Sequence, residues 1–167
     1  MFTRITDFSQ HWKHHTDATK KVFSALTQES LSEQVADEHR NLGRMAWHVV
    51  TTIPEMAEAI GMKLVGPGAG DPVPKSIEDI RKGYDAAARS LQEQVEKNWN
   101  DRTLEIEDDL YGQKWKKGMT LLVLIQHEVH HRGQMTVLMR QAGLKVPGVM
   151  GPSKEEWVNI GMKAPEI

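Results

Sequence analysis

Apolar residues recur every three or four positions through four separate stretches of the chain, the period of helices that bury one face. The first stretch runs from about Asp7 to Leu26 and sets Phe8, Trp12, His15, Thr19, Val22 and Leu26 along one side. The second starts near Asn41, a good N-cap residue, and carries Leu42, Met45, Val49, Met56 and Ile60. Pro54 lies within it, and its missing N–H predicts a kink or a break in the hydrogen bonding there. The third opens at Ser76 with Asp79 three residues on, an approximate capping box, and places Ile77, Ile80, Tyr84, Ala87, Leu91 and Val95 on a clean stripe. The fourth spans roughly Gly118 to Ala142 and stops at Gly143, a residue suited to the left-handed position after a helix. No stretch shows a convincing strand pattern. Four such helices predict an all-α four-helix bundle, a single domain over 1–167 with an irregular C-terminal tail from about residue 144.

The connections bear on topology. Roughly a dozen polar residues join the first two helices, and a longer, less regular stretch joins the last two. Between the second and third lies GMKLVGPGAGDPVPKS, a loop by its glycines and prolines. It is long enough to cross the end of a bundle, so a simple up-down-up-down order is not required. The YGQKW stretch, Tyr111 to Trp115, sets two aromatics around a glycine turn before the fourth helix. It is expected to cap the bundle core, with a pocket wall as the alternative.

Composition narrows the class. With 167 residues, 39% hydrophobic and 26% charged, the chain can bury one sizeable core. A formal net charge of −2 gives no electrostatic reason to expect nucleic acid. No run approaches a membrane span, and the N-terminus lacks the apolar stretch of a signal peptide, so a cytoplasmic protein is expected. Cysteine is absent, which excludes disulfides and leaves only nitrogen and oxygen ligands for any metal. The nine methionines are read as core filler.

The chemistry concentrates in LIQHEVHHRGQ, residues 124–134. Leu124, His127, His131, Met135 and Leu138 form one stripe of the fourth helix. Residues four apart share a face about 6 Å apart along the axis, so the two imidazoles of His127 and His131 can converge on one ion. His130 falls on a more polar row with Val123, Gln126, Val137 and Gln141 and is not expected to be a ligand. Neutral imidazoles buried without partners cost on the order of 1–3 kcal/mol each. The second helix offers a partner in His48, between Met45 and Thr52 on a largely apolar face. A third nitrogen from a facing helix completes a three-histidine site with open positions for water or substrate.

His48 within RNLGRMAWH, followed by a His-x-x-x-His pair running directly into RGQMTVLMRQAG, resembles the DinB/YfiT-like superfamily. The resemblance covers the chain from the first helix to about Gly143. It implies a four-helix bundle with a long crossover connection and a divalent metal, nickel or zinc, held by one histidine of the second helix and two of the fourth. Those ligands fall on His48, His127 and His131. Members are often homodimers, and they include transferases that use an external low-molecular-weight thiol. The tail VPGVMGPSKEEW is not explained by the motif and is expected to cover the site or serve assembly.

The same residues also spell H-E-x-x-H, with Glu128 as the general base of a zinc peptidase. Such enzymes need a third ligand downstream, yet no histidine follows His131 and Glu155 and Glu156 lie beyond a Gly/Pro-rich break. A di-iron site of the ferritin kind needs two Glu-x-x-His motifs, and only Glu128 to His131 is present. His15 fits a satisfied core histidine better than a pocket residue. Glu128, Arg132 and Gln134 flank the ligands, and one of them is expected to bond a ligand ring or hold a substrate anion, as metal sites require. The expected function is a metal-dependent enzyme acting on a small molecule by thiol S-transfer. The alternatives are a metal-dependent hydrolase and a metal-binding or assembly module without catalysis.

Overall fold

A computed structural model of the chain describes residues 1–166. Four helices are present: α1 (Ile5–Ser24), α2 (Leu42–Ala59), α3 (Ile77–Asn98) and α4 (Lys117–Gln141). The predicted caps are at work. The Asn41 side chain accepts from Arg44 N and the Ser76 side chain from Glu78 N, while Gly143 takes φ 72°. Around that glycine, Gly143 N donates to Arg140 O and Leu144 N to Met139 O, closing the last turn of α4. α2 continues through Pro54 to Ala59. The carbonyls at the end of α1 are taken up by a distant cation, since the Arg81 guanidinium donates to Phe23 O and Leu26 O at 2.9–3.0 Å.

Inter-helix contacts fix the directions. Phe2 N donates to Gly118 O and Arg132 reaches His15 O, so α1 and α4 run parallel. The Lys117 ammonium at the start of α4 donates to Ile60 O at the end of α2, so those two are antiparallel. Phe23 packs its ring at a tilt against Tyr84 while Trp12 Nε1 donates to Ala88 O, which makes α3 antiparallel to α1. α2 and α3 are therefore parallel, in an up-down-down-up order. Parallel neighbours need a connection that returns the length of the bundle, and the glycine- and proline-rich loop supplies it. Val65 N donates to the Ser90 hydroxyl, and Trp47 Nε1 donates to Asp71 O, so the loop runs back along α3 toward the start of α2. The long crossover is thus explained by helix direction. Gly83 makes room for it: a Cβ there would lie 3.0 Å from the Trp47 ring and 3.1 Å from Pro67.

The core takes most of the predicted stripe residues and adds others, Ile53 and Leu121 among them, while His15 and Met45 are only half-buried. Phe8 and Trp12 of α1, Ile53 of α2, Ile80, Tyr84 and Leu91 of α3, and Leu121 and Leu124 of α4 are all buried. Each such side chain contributes about 1.5–3 kcal/mol by leaving water. Met56, Met62, Met135 and Met139 fill the interior as expected, whereas Met150 and Met162 stand exposed.

The expectation of no strands is corrected. β1 (Glu107–Leu110) pairs antiparallel with β2 (Gln113–Lys116). The two-residue turn between them has φ 49° at Tyr111 and 76° at Gly112, the both-positive signature of a type I′ hairpin. YGQKW is thus a hairpin tip and second strand, with Trp115 half-buried against the core and Tyr111 exposed. Lys117, at its end, is 8% exposed and pairs with Asp108 at 2.7 Å, locking hairpin to bundle. The tail from residue 144 packs Leu144, Val146 and Val149 against the core and ends in a 3-10 turn, Trp157–Ile160. Its fold is held by the Glu156 carboxylate, which accepts from Gly148 N and Ser153 N. Among the described residues no helix is long and apolar enough to cross a membrane.

Candidate metal centre

α2 and α4 cross so that three imidazoles face one another. Ring centroids of His48 lie 5.0 Å from His127 and 4.7 Å from His131, and the latter two are 4.4 Å apart. One nitrogen from each ring lies within 4.8 Å of the others, and among the described residues no carboxylate joins them. The Nε2 atoms of His127 and His131 are 3.1 Å apart, close to the roughly 3.3 Å between two nitrogens that share one tetrahedral ion at 2.0–2.1 Å.

The flanking residues divide. His131 Nδ1 lies 2.7 Å from Gln134 Oε1. A carbonyl oxygen only accepts, so Nδ1 carries the proton and the Nε2 lone pair is left for the triad. Gln134 is therefore the flanking residue that touches a ligand ring. Glu128 and Arg132 turn away to α1, where they form a buried polar cluster rather than flanking the ligands as the sequence suggests. Arg132 donates to His15 O and to the Thr19 hydroxyl, both at 3.0 Å, and lies 3.3 Å from His15 Nδ1. Glu128 Oε2 is 3.4 Å from Thr19 Oγ1, and its Oε1 has no hydrogen-bond partner. His15 is thus a partnered histidine of the α1–α4 seam. His130 is exposed, its ring 5.0 Å from His131. A peptidase role for Glu128 is unsupported, because its carboxyl is fully buried against Thr19 of α1 and does not join the histidine group.

Burial and neighbouring charge keep the imidazoles neutral, the form in which they could hold a cation. His48 is held down to about 4, by burial first and then by the Arg40 charge and the other two rings. His127 is likewise lowered to about 4, by burial and then by His131 and His130. Burial lowers His131 as well, with Gln134 opposing. Three neutral nitrogens with no carboxylate suit a borderline divalent ion of the zinc or nickel kind. The residues present therefore fit the group. A free histidine is about nine-tenths protonated at pH 5.5, whereas a pKa near 4 leaves His48 and His127 mostly neutral there. Metal content should thus survive dialysis at pH 5.5 and fall as pH approaches 4; loss complete by pH 6 would contradict this origin of the ligand basicity.

A cavity of about 550 Å³ opens beside the triad, lined by Met45, His131, Gln134, Val137 and Leu138 of the helices and by Val35, Glu38, His39 and Arg40 of the α1–α2 connection. Its size is that of a small-molecule site. The connection that shapes it was expected only as polar linker, and no pattern in those residues marked it as a cavity wall.

Comparison with known proteins agrees with this architecture. A crystal structure of a DinB-like protein from Bacillus cereus is 43% identical and covers 89% of this chain and 99% of its own, with a TM-score of 0.85. A second DinB-like structure, YjoA from Bacillus subtilis, is 18% identical with a TM-score of 0.69 over 86% of this chain and 96% of its own, and shares the fold. The uncharacterized protein YrdA of Bacillus subtilis strain 168 is 41% identical over all of both chains. The model of the DinB family matches residues 1–164, from ahead of α1 to beyond the last 3-10 turn, and the chain belongs to that family.

Proposed function

We propose that the protein is a divalent-metal enzyme that joins an external low-molecular-weight thiol to a small electrophile, with His48, His127 and His131 as the metal ligands. The observation that carries this reading is three convergent, neutral imidazole nitrogens with no fourth protein ligand among the described residues, beside a cavity of about 550 Å³. A structural site would be closed by a fourth side chain. A divalent ion held there supplies Lewis acidity, which favours the thiolate of a bound thiol over the thiol.

The chain's own residues do the rest. Gln134 fixes the His131 ring so that Nε2 faces the site. Met45 and Leu138 give the cavity apolar walls beside the reacting sulfur. The lack of any cysteine rules out a covalent thiol intermediate on the protein, so the sulfur that is transferred comes from outside. A new S–C bond forms as the bond from carbon to the leaving group breaks; the leaving group departs with the electron pair, and the thiol proton passes to solvent.

The test is a screen of several cellular thiols with 1-chloro-2,4-dinitrobenzene, using the metal-loaded protein and its His127→Ala variant. Conjugation at least about tenfold above the variant, lost on chelation, is the expected result. Metal-dependent ester or amide cleavage without conjugation would replace transfer by hydrolysis. Silence in both assays would leave a metal-binding module.

A further inference from the structure

The cavity is not uniform. On the helix side it presents Met45, Val137 and Leu138, and at its mouth Val35 and Val137 stand 61% and 57% exposed. Valines left open to water on a cavity wall are apolar surface that a bound molecule would cover. The α1–α2 connection that carries Val35 also brings Arg40 into the same lining as the ligand His131. Arg40 takes no part in the ion pairs among the described residues, although most of the chain's other arginines are committed: Arg4 to Asp7, Arg81 to the carbonyls that end α1, Arg89 to Glu93, Arg132 to the α1 cluster and Arg140 to Glu155. Glu38 lines the cavity too, without pairing to Arg40. A planar guanidinium with its donors free, facing a cavity, is built to take a carboxylate by two parallel hydrogen bonds.

We infer that the small molecule bound in this cavity carries a carboxylate, held by Arg40, besides the group that reaches the histidine triad. This rests on the metal reading above and adds the substrate class: an amphipathic acid whose apolar span lies along Val35, Met45, Val137 and Leu138. The charges agree with it. Three neutral imidazoles leave a divalent ion its full charge, and with Arg40 that charge faces the single carboxylate of Glu38. Arg40 is then a specificity-determining residue, selecting among thiols by whether they carry a carboxylate.

Two probe thiols separate the contributions. Cobalt(II)-loaded protein is titrated with 3-mercaptopropionate and with 2-mercaptoethanol, which differ in having a carboxylate or a hydroxyl at the far end, and binding is read from the sulfur-to-cobalt charge-transfer absorption. Arg40→Gln should lower the mercaptopropionate-to-mercaptoethanol affinity ratio by about tenfold, the size of one charge-assisted hydrogen bond, almost wholly by weakening mercaptopropionate. Using the ratio removes the intrinsic difference between the thiols. Arg44→Gln, outside the cavity lining although its charge also reaches His48, should change the ratio far less and controls for net charge. A ratio that does not move in Arg40→Gln, or that falls equally in Arg44→Gln, overturns the assignment. If cobalt fails to give a stoichiometric ligand-field spectrum in the unmodified protein, the metal reading falls and takes this one with it. A normal spectrum with no effect at Arg40 removes this one alone.

Discussion

Purified protein should carry close to one divalent ion per chain, and His48→Ala, His127→Ala and His131→Ala should each lower the affinity for it by more than about 100-fold. That bound is set by comparison with residues that only orient a ligand, whose loss costs about 10–100-fold. Each histidine supplies one nitrogen to a set whose members all lie within 4.8 Å of one another, and among the described residues no other donor of that cluster stands in for a missing one. Gln134→Ala belongs to the milder range, because it frees the His131 ring without removing a nitrogen. His130→Ala should leave the metal in place: its side chain is exposed, although its ring is only 5.0 Å from that of His131. Metal analysis after gel filtration decides. If His130→Ala strips the ion while His131→Ala keeps it, the facing of α4 is misassigned.

The triad could be read from the chain because its information is local. His127 and His131 sit four apart on a stripe with Leu124, Met135 and Leu138, so helix geometry alone puts them on one face. Placing His48 opposite them needed only a second amphipathic helix with its polar exception in the middle of an apolar face. The hairpin was hidden for the reverse reason. EDDL and QKWK are charged and four residues long, with little of the β-branched content that marks strands; only the turn pair Tyr111–Gly112 carried the signal. The cluster behind α4 was hidden by packing. α4 is wedged between α1 and α2, so residues off its main stripe also meet protein, and Arg132 ends 2% exposed. A charged residue off the apolar stripe reads as solvated until the neighbouring helices are known. Helix direction was likewise beyond the periodicity, which is the same for either orientation; loop length alone pointed toward the crossover.

That buried cluster gives the largest expected effect on stability. Glu128 is fully buried, and its pKa is pushed up to about 7 by that burial, with Tyr84, Arg132 and Thr19 opposing the rise. The Tyr84 hydroxyl lies near it without a hydrogen bond of good geometry, and Arg132 spends its donors on His15 and Thr19. In the unfolded chain the same carboxyl ionises near its usual 4.5. Between pH 4.5 and 7 the folded state thus holds a proton that the unfolded state has released, so stability falls as pH rises through that window. Above pH 7 the full difference, on the order of 3 kcal/mol, weighs against folding. Glu128→Gln, which imitates the protonated carboxyl, should therefore stabilise the metal-free protein by that amount at pH 8, raising its melting temperature by about 6–12 °C. The gain should shrink below about 1 kcal/mol at pH 5. The triad histidines titrate in both proteins, so their contribution cancels in the difference. Thermal unfolding of the two proteins across this range checks it. A Glu128→Gln variant less stable than the original at pH 8 would mean that Glu128 is ionised and that its attraction to Arg132 outweighs the cost of burying the charge.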